Sequence, residues 1–171
     1  MSRYAIIRSD TWNDEEFMEL SPIGKLLYIY LLSTSYGNSI GYFRLPASKA
    51  AADMMISEKE ILPELVGQNK LWKYDAETKQ VLIVSYLKYN KLSSPSQLKG
   101  INAQLKPLTR GMMDAEFMYC VYKHLGEKCY QYIDRDILYL ISGMTKDRTE
   151  IKYELLYNSI NQYILSSQEY I

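Results

Sequence analysis

The chain has 171 residues, 47% of them hydrophobic, with five Pro and two Cys, a composition that fits one domain or a domain with an appendage and excludes a disordered chain. The longest uninterrupted apolar run, residues 26–32, is far short of the ~20 needed to span a bilayer, and residues 1–8 lack the apolar core and small-residue cleavage site of a signal peptide. Lys plus Arg, at 20, balance Asp plus Glu, at 20. No membrane association and a cytosolic location are therefore expected, with Cys120 and Cys129 as reduced thiols.

In chain order, a short helix is expected from residue 10 or 13 to residue 20, because Trp12, Phe17 and Leu20 can share a face and Asp14, Glu15 and Glu16 suit a helix N-terminus. Ser21 as N-cap and Pro22 at the first helical position open a clearer helix, running through Ile23, Leu26, Leu27, Tyr30 and Leu31 to about Tyr36. Gly37-Asn38 stops it, and residues 40–45 have the aromatic and branched content of a short strand. Ser48 is expected to cap an alanine-rich helix from Lys49 to about Met55. Ser57 and Glu60 form a capping box that starts another helix, with Ile61, Leu62, Leu65 and Val66 facing inward and Pro63 and Gly67 weakening it. After Asn69, a residue that tolerates a left-handed cap, residues 71–74 and 80–84 read as a hairpin.

The order helix, strand, helix, helix, strand, turn, strand is that of a winged helix: helix-turn-helix plus a β-hairpin wing. The expected fold class is therefore mainly α with a small antiparallel β-sheet, followed by a helical C-terminal region. Ser94-Pro95 begins a further helix with Leu98, Ile101, Leu105 and Leu108 at helical spacing. Helices are also expected over residues 114–125, 134–142 and 149–164. The domain reading is a winged helix over 1–92, a basic helix over 93–110 and an acidic, tyrosine-rich helical region over 111–171.

Charge is unevenly distributed. Residues 1–110 carry 14 basic and 11 acidic side chains, against 6 and 9 for residues 111–171. Between Thr78 and Met113 no carboxylate occurs, while Lys79, Lys88, Lys91, Lys99, Lys106 and Arg110 do. A polyanion can bind such a stretch; a solvated basic surface without a partner is the bland alternative.

Catalytic and metal chemistry find little support. His124 is the single histidine, and Cys120, His124 and Cys129 have the spacing Cys-x3-His-x4-Cys. A fourth soft ligand is missing, and Cys120 shares an apolar stripe with Phe117, Val121 and His124, so core packing is expected and no cofactor or metal. Gly24-Lys25-Leu26 is not a phosphate loop, because Glu19 stands where that motif needs Gly, and Pro22 starts a helix there. No nucleophile elbow or zinc-protease helix is present, and a non-enzymatic protein is expected. In residues 86–91 tyrosines interleave with lysines, a pattern suited to base stacking or to tyrosines half-buried against the wing.

Several segments together resemble one family. Leu20-Ser21-Pro22-Ile23-Gly24-Lys25-Leu26-Leu27-Tyr28-Ile29-Tyr30-Leu31-Leu32, Gly41-Tyr42-Phe43-Arg44-Leu45-Pro46, the helix start at Ile56-Ser57, Leu71-Trp72-Lys73-Tyr74-Asp75 and Tyr86-Leu87-Lys88-Tyr89-Asn90 are similar to the N-terminal winged-helix domain of phage replisome organisers and DnaD-like replication initiation proteins. Ser94-Pro95-Ser96-Gln97-Leu98-Lys99-Gly100-Ile101 resembles the helix that follows the wing in many of them. The resemblance covers about residues 8–108 and implies binding to origin or primosomal DNA, recruitment of a replicative helicase or helicase loader, and homo-oligomers.

On that reading Lys49, Lys59, Lys70, Lys73 and Lys79 touch phosphates, and Gln68 and Asn69 contact bases or sugars. Lys88, Lys91, Lys99, Lys106 and Arg110 extend the track. Glu58, Glu60 and Glu64 on the second helix of the pair oppose phosphate contact there. Two alternatives share the fold: a docking or oligomerisation adaptor, and a winged-helix transcription regulator.

Overall fold

A computed structural model describes residues 7–167, so most of the segment read above for a signal peptide, residues 1–6, lies outside the described residues. The protein is mainly helical, with a three-stranded antiparallel sheet, and divides into a unit ending at Tyr86 and a unit beginning at Leu87. No helix among the described residues is long and apolar enough to cross a membrane.

In the first unit, the single helix expected before residue 20 is two pieces, a 3-10 turn over Ser9–Asn13 and α1 over Glu15–Met18. Asp14 breaks it: its backbone is extended and its carboxylate accepts from Phe17 N–H at 3.1 Å, an N-cap in place of a helical residue. Helix α2 spans Pro22–Ser33, with Ser21 Oγ accepting from Gly24 N–H at 2.9 Å. It stops three residues before the expected end, because Thr34 is extended and Ser33 Oγ donates to the Ile29 carbonyl at 2.8 Å.

Strand β1 covers Tyr42–Arg44. Gly41 before it has φ +68, and a Cβ there would lie 2.4 Å from Tyr86 Cγ, so both backbone and space require glycine. Helix α3 spans Ala47–Met54 and is preceded by Pro46, not capped by Ser48 as expected; Met55 ends it in the left-handed region. Helix α4 spans Glu58–Val66, with the Glu60 carboxylate accepting from Ser57 N–H at 3.3 Å. Pro63 lies inside α4 without ending it.

Only two of the four α4 residues expected inside are buried. Ile61 and Leu65 face the core, whereas Leu62 is 38% and Val66 48% exposed. A helix packed on one side buries the i, i+4 pair and leaves the adjacent stripe in water.

Strands β2, Trp72–Asp75, and β3, Gln80–Ile83, form the expected hairpin. Its turn is held by Asp75 Oδ1, which accepts from Glu77 N–H at 2.9 Å, and Lys79 takes the left-handed position. Asn69 is not left-handed; instead its Oδ1 accepts from Leu71 and Trp72 N–H, each at 2.9 Å. The sheet order is β1-β3-β2, with Tyr42 opposite Leu82, Trp72 opposite Ile83 and Tyr74 opposite Val81. Trp72 stacks on Tyr28, which in turn packs on Phe17. These aromatics fasten α1 and α2 to the hairpin.

Past the single-turn α5, Tyr86–Tyr89, the second unit contains α6, Pro95–Leu105, α7, Met112–Leu125, α8, Arg135–Thr145, and α9, Ile151–Ser166. A 3-10 segment, Glu127–Tyr132, follows α7 and was not expected from the sequence. Asn102 on α6 is tied to it, donating to Tyr132 O and to Asp134 Oδ1, both at 2.9 Å. The basic helix and the tyrosine-rich region therefore belong to one unit.

This boundary changes the charge picture. Residues 1–86 hold nine basic and eleven acidic side chains, and residues 87–171 hold eleven and nine. Cut at residue 110 the front is basic; cut where the chain actually folds, the second unit is the more basic.

Candidate nucleic-acid interface

Among the first-unit candidates, Lys49 on α3, Lys59 on α4, Gln68, Lys70 and Lys79 are exposed and Lys73 on β2 is half-buried. The Lys70 ammonium lies 3.4 Å from Glu16 Oε1, a loose and solvent-exposed pair. Asn69 is spent on the backbone: its oxygen caps residues 71 and 72, and its Nδ2 donates to the Gly67 carbonyl at 3.3 Å. Base contact by Asn69 would require giving up that turn. Arg44, which sequence reasoning passed over, is exposed between buried Phe43 and Leu45, and Leu45 N–H bonds the Lys79 carbonyl at 2.7 Å. Strand alternation was the signal that pointed it outward.

The acidity of α4 has a structural use. Glu60 closes the capping box, and Glu64 Oε1 accepts from Ser21 Oγ at 2.6 Å at the positive end of α2. Glu64→Ala is expected to lower the stability of this unit by about 1 kcal/mol, read as a shift of the urea midpoint at constant slope. The solvent side of α4 carries Lys59, Leu62, Pro63 and Val66, and Met55 beside it is 93% exposed. That face offers apolar surface and few hydrogen-bonding groups to a base edge.

In the second unit, Leu87 and Leu92 are buried while Lys88, Tyr89 and Lys91 face solvent, with Lys88 Nζ 4.9 Å from the Tyr89 ring centroid. Lys99 and Lys106 are seven residues apart at α6 and its C-cap, which places them on one face, about 10 Å apart, opposite buried Leu98, Ile101 and Leu105. Both are exposed and form no ion pair among the described residues. Arg110 is different. Its guanidinium donates to Leu105 O at 2.6 Å and to Asp114 Oδ1 at 3.2 Å, and Asp114 is 1% exposed. The charge of Arg110 is consumed in joining the end of α6 to the start of α7.

Cys120 and Cys129 are buried free thiols, and burial pushes the Cys129 thiol up. His124 departs from the expected apolar stripe: it is half-exposed, and burial, followed by the charges of Lys123, Lys88 and Lys91, holds its imidazole below the ordinary value. No group of three His, Cys, Asp or Glu suited to a metal occurs among the described residues. Glu116 on α7 accepts from Lys152 Nζ at 2.6 Å and from the Tyr153 hydroxyl, both on α9. Burial and the Glu116 carboxylate push the Tyr153 hydroxyl up to about 12. Burial, which lowers Lys152, is outweighed by Glu116, which holds its ammonium above the usual range. Near neutral pH Lys152 stays charged and Tyr153 stays protonated, so the trio acts as a clasp between helices.

Comparison with family models, with curated proteins and with solved structures finds no match for this chain.

Proposed function

We propose that the chain is a non-enzymatic DNA-binding protein of replication initiation, with its first unit a winged helix, acting on origin or primosomal DNA and recruiting a replicative helicase or its loader. The observation that carries the reading is the acid-free stretch from Lys79 to Met113, which turns Lys79, Lys88, Lys91, Lys99 and Lys106 to solvent. Solvent-facing lysines are side chains that release counterions from a phosphate chain. The winged-helix assignment is supported by the element order and by a three-residue turn between α3 and α4, with the hairpin packed behind them. The resemblance of residues 8–108 to replisome organisers supplies the biological setting.

Fluorescence anisotropy with labelled single-stranded and duplex DNA at two salt concentrations tests this. Micromolar or tighter binding that weakens steeply with salt is expected. Joint replacement of Lys88, Lys91, Lys99 and Lys106 by Ala is expected to flatten the log–log salt dependence by roughly 3–4. Equal slopes for the two proteins would defeat the reading.

A docking role for the helix pair is favoured by one observation, the exposed apolar surface of Met55, Leu62 and Val66. Absence of DNA binding at low salt, together with a stable dimer or helicase complex, would select it.

A further inference from the structure

One side of α9 is buried, with Tyr153, Leu156, Ile160 and Ile164 in the core of the second unit. The opposite side carries Ile151, Leu155, Asn158, Gln162 and Leu165, spaced four, three, four and three residues apart. That is the spacing of a coiled-coil seam. All of them are exposed, Ile151 at 75%, Leu155 at 46% and Leu165 at 64%, and none is charged. A lone exposed hydrophobic residue is ordinary, but three on one line about 21 Å long form a stripe. The side-chain amides of Asn158 and Gln162 form no hydrogen bond among the described residues.

The charges beside the stripe select its occupant. Glu154 and Asn161, seven residues apart, lie on one flank of α9, and Asn161 Oδ1 accepts from Ser142 Oγ of α8 at 3.0 Å, so this flank is turned toward α8. Arg135, the first residue of α8, has its Nη2 3.5 Å from the Ser167 carbonyl oxygen, at the far end of the same flank. The two helices are therefore antiparallel, with exposed Glu154 near the start of α9 and exposed Arg135 at its end. Neither forms an ion pair among the described residues. A second copy packed antiparallel, about a two-fold axis at Asn158, keeps like flanks together and reverses the ends. Glu154 of each copy then comes within side-chain reach of Arg135 of the other, Ile151 meets Leu165, Leu155 meets Gln162, and the two Asn158 amides meet each other. A parallel pair puts these flanks on opposite sides and makes neither ion pair.

We propose that the outer seam of α9 is a self-association surface, occupied by a second copy of the chain in antiparallel register centred on Asn158. The inference goes beyond the DNA-binding reading and is independent of it, since the seam uses none of the basic track.

Sedimentation equilibrium of the full chain without DNA, from ~5 to ~200 μM, tests it. A reversible monomer–dimer equilibrium in the micromolar range is expected, because so short a seam falls below the ~800 Å² per partner of a standard interface. Leu155→Glu, at an exposed helical position and checked for native circular dichroism, is expected to weaken the dimer by roughly tenfold or more. Glu154→Arg and Arg135→Glu are each expected to weaken it several-fold, and the two in one chain to restore it.

A chain that stays monomeric throughout would overturn the proposal and leave the stripe to an unlike partner. A dimer that Leu155→Glu does not weaken would also overturn it, and would point to Met55, Leu62 and Val66 of the first unit. Weakening by Leu155→Glu without rescue in the double charge swap would overturn the antiparallel register. Absence of DNA binding in the native chain would defeat the DNA reading and leave this one standing.

Discussion

Trp72→Ala is expected to lower the stability of the first unit by about 3–5 kcal/mol, a large share of the ~5–15 kcal/mol that holds a typical domain folded. Trp72 is 1% exposed, stacked on Tyr28 and opposite Ile83. Its indole N–H donates to the Leu65 carbonyl at 3.1 Å. That carbonyl lies in the last turn of α4, where no helical N–H follows because Gly67 is extended. One side chain thus fills the core beneath the hairpin and caps the second helix of the pair. Trp72→Phe keeps most of the volume and loses the donor, and is expected to cost about 1–3 kcal/mol for the orphaned carbonyl. Urea unfolding followed by far-UV circular dichroism separates the two, and equal midpoints for the two variants would show that the hydrogen bond contributes nothing.

Arg110→Ala is expected to destabilise the second unit by about 2–3 kcal/mol. The estimate sits below the range for fully buried pairs, because the Arg110 side chain is 30% exposed while Asp114 is 1% exposed. The replacement strands the Asp114 carboxylate with the Gly111 N–H, at 3.1 Å, as a remaining partner, and frees the Leu105 carbonyl. Asp114→Asn in the same chain is expected to recover part of the loss by removing the uncompensated charge. Lys99→Ala and Lys106→Ala, on the exposed face of α6, are expected to stay within about 0.5 kcal/mol of the native protein. Thermal melts of the four variants check this set. A stable Arg110→Ala protein with weakened DNA binding would move Arg110 back among the phosphate contacts.

Much of the first unit was legible because its signals are local. Ser21-Pro22, the Ser57–Glu60 box and the branched apolar run of residues 81–84 each act within a few residues, and each element formed near its expected place. Boundaries went astray where a side chain had two uses. Asp14 caps α1 and so splits the first helix, Ser33 bonds back to Ile29 and accompanies the early end of α2, and Ser48 lies inside a helix already begun at Ala47.

The candidate site was less legible. Twelve residues carry amide or cationic groups at plausible positions, yet Arg110 and Asn69 are committed to the fold, and Lys70 is loosely paired. Read along the chain, Glu64 appeared as repulsion toward phosphate; in space it is a partner of Ser21.

By itself the sequence determined the mainly helical character of the chain with its small sheet, the hairpin and the acid-free basic stretch, because helix caps, short branched and aromatic runs bounded by turn residues, and local charge density operate over short spans of backbone. Only the tertiary structure decided that the chain divides at residue 86, that the second unit is the more basic, and that α4 shows water an apolar stripe. Those outcomes depend on which faces meet, and the energy of burial and charge pairing depends on distance in space, which the order of residues does not state.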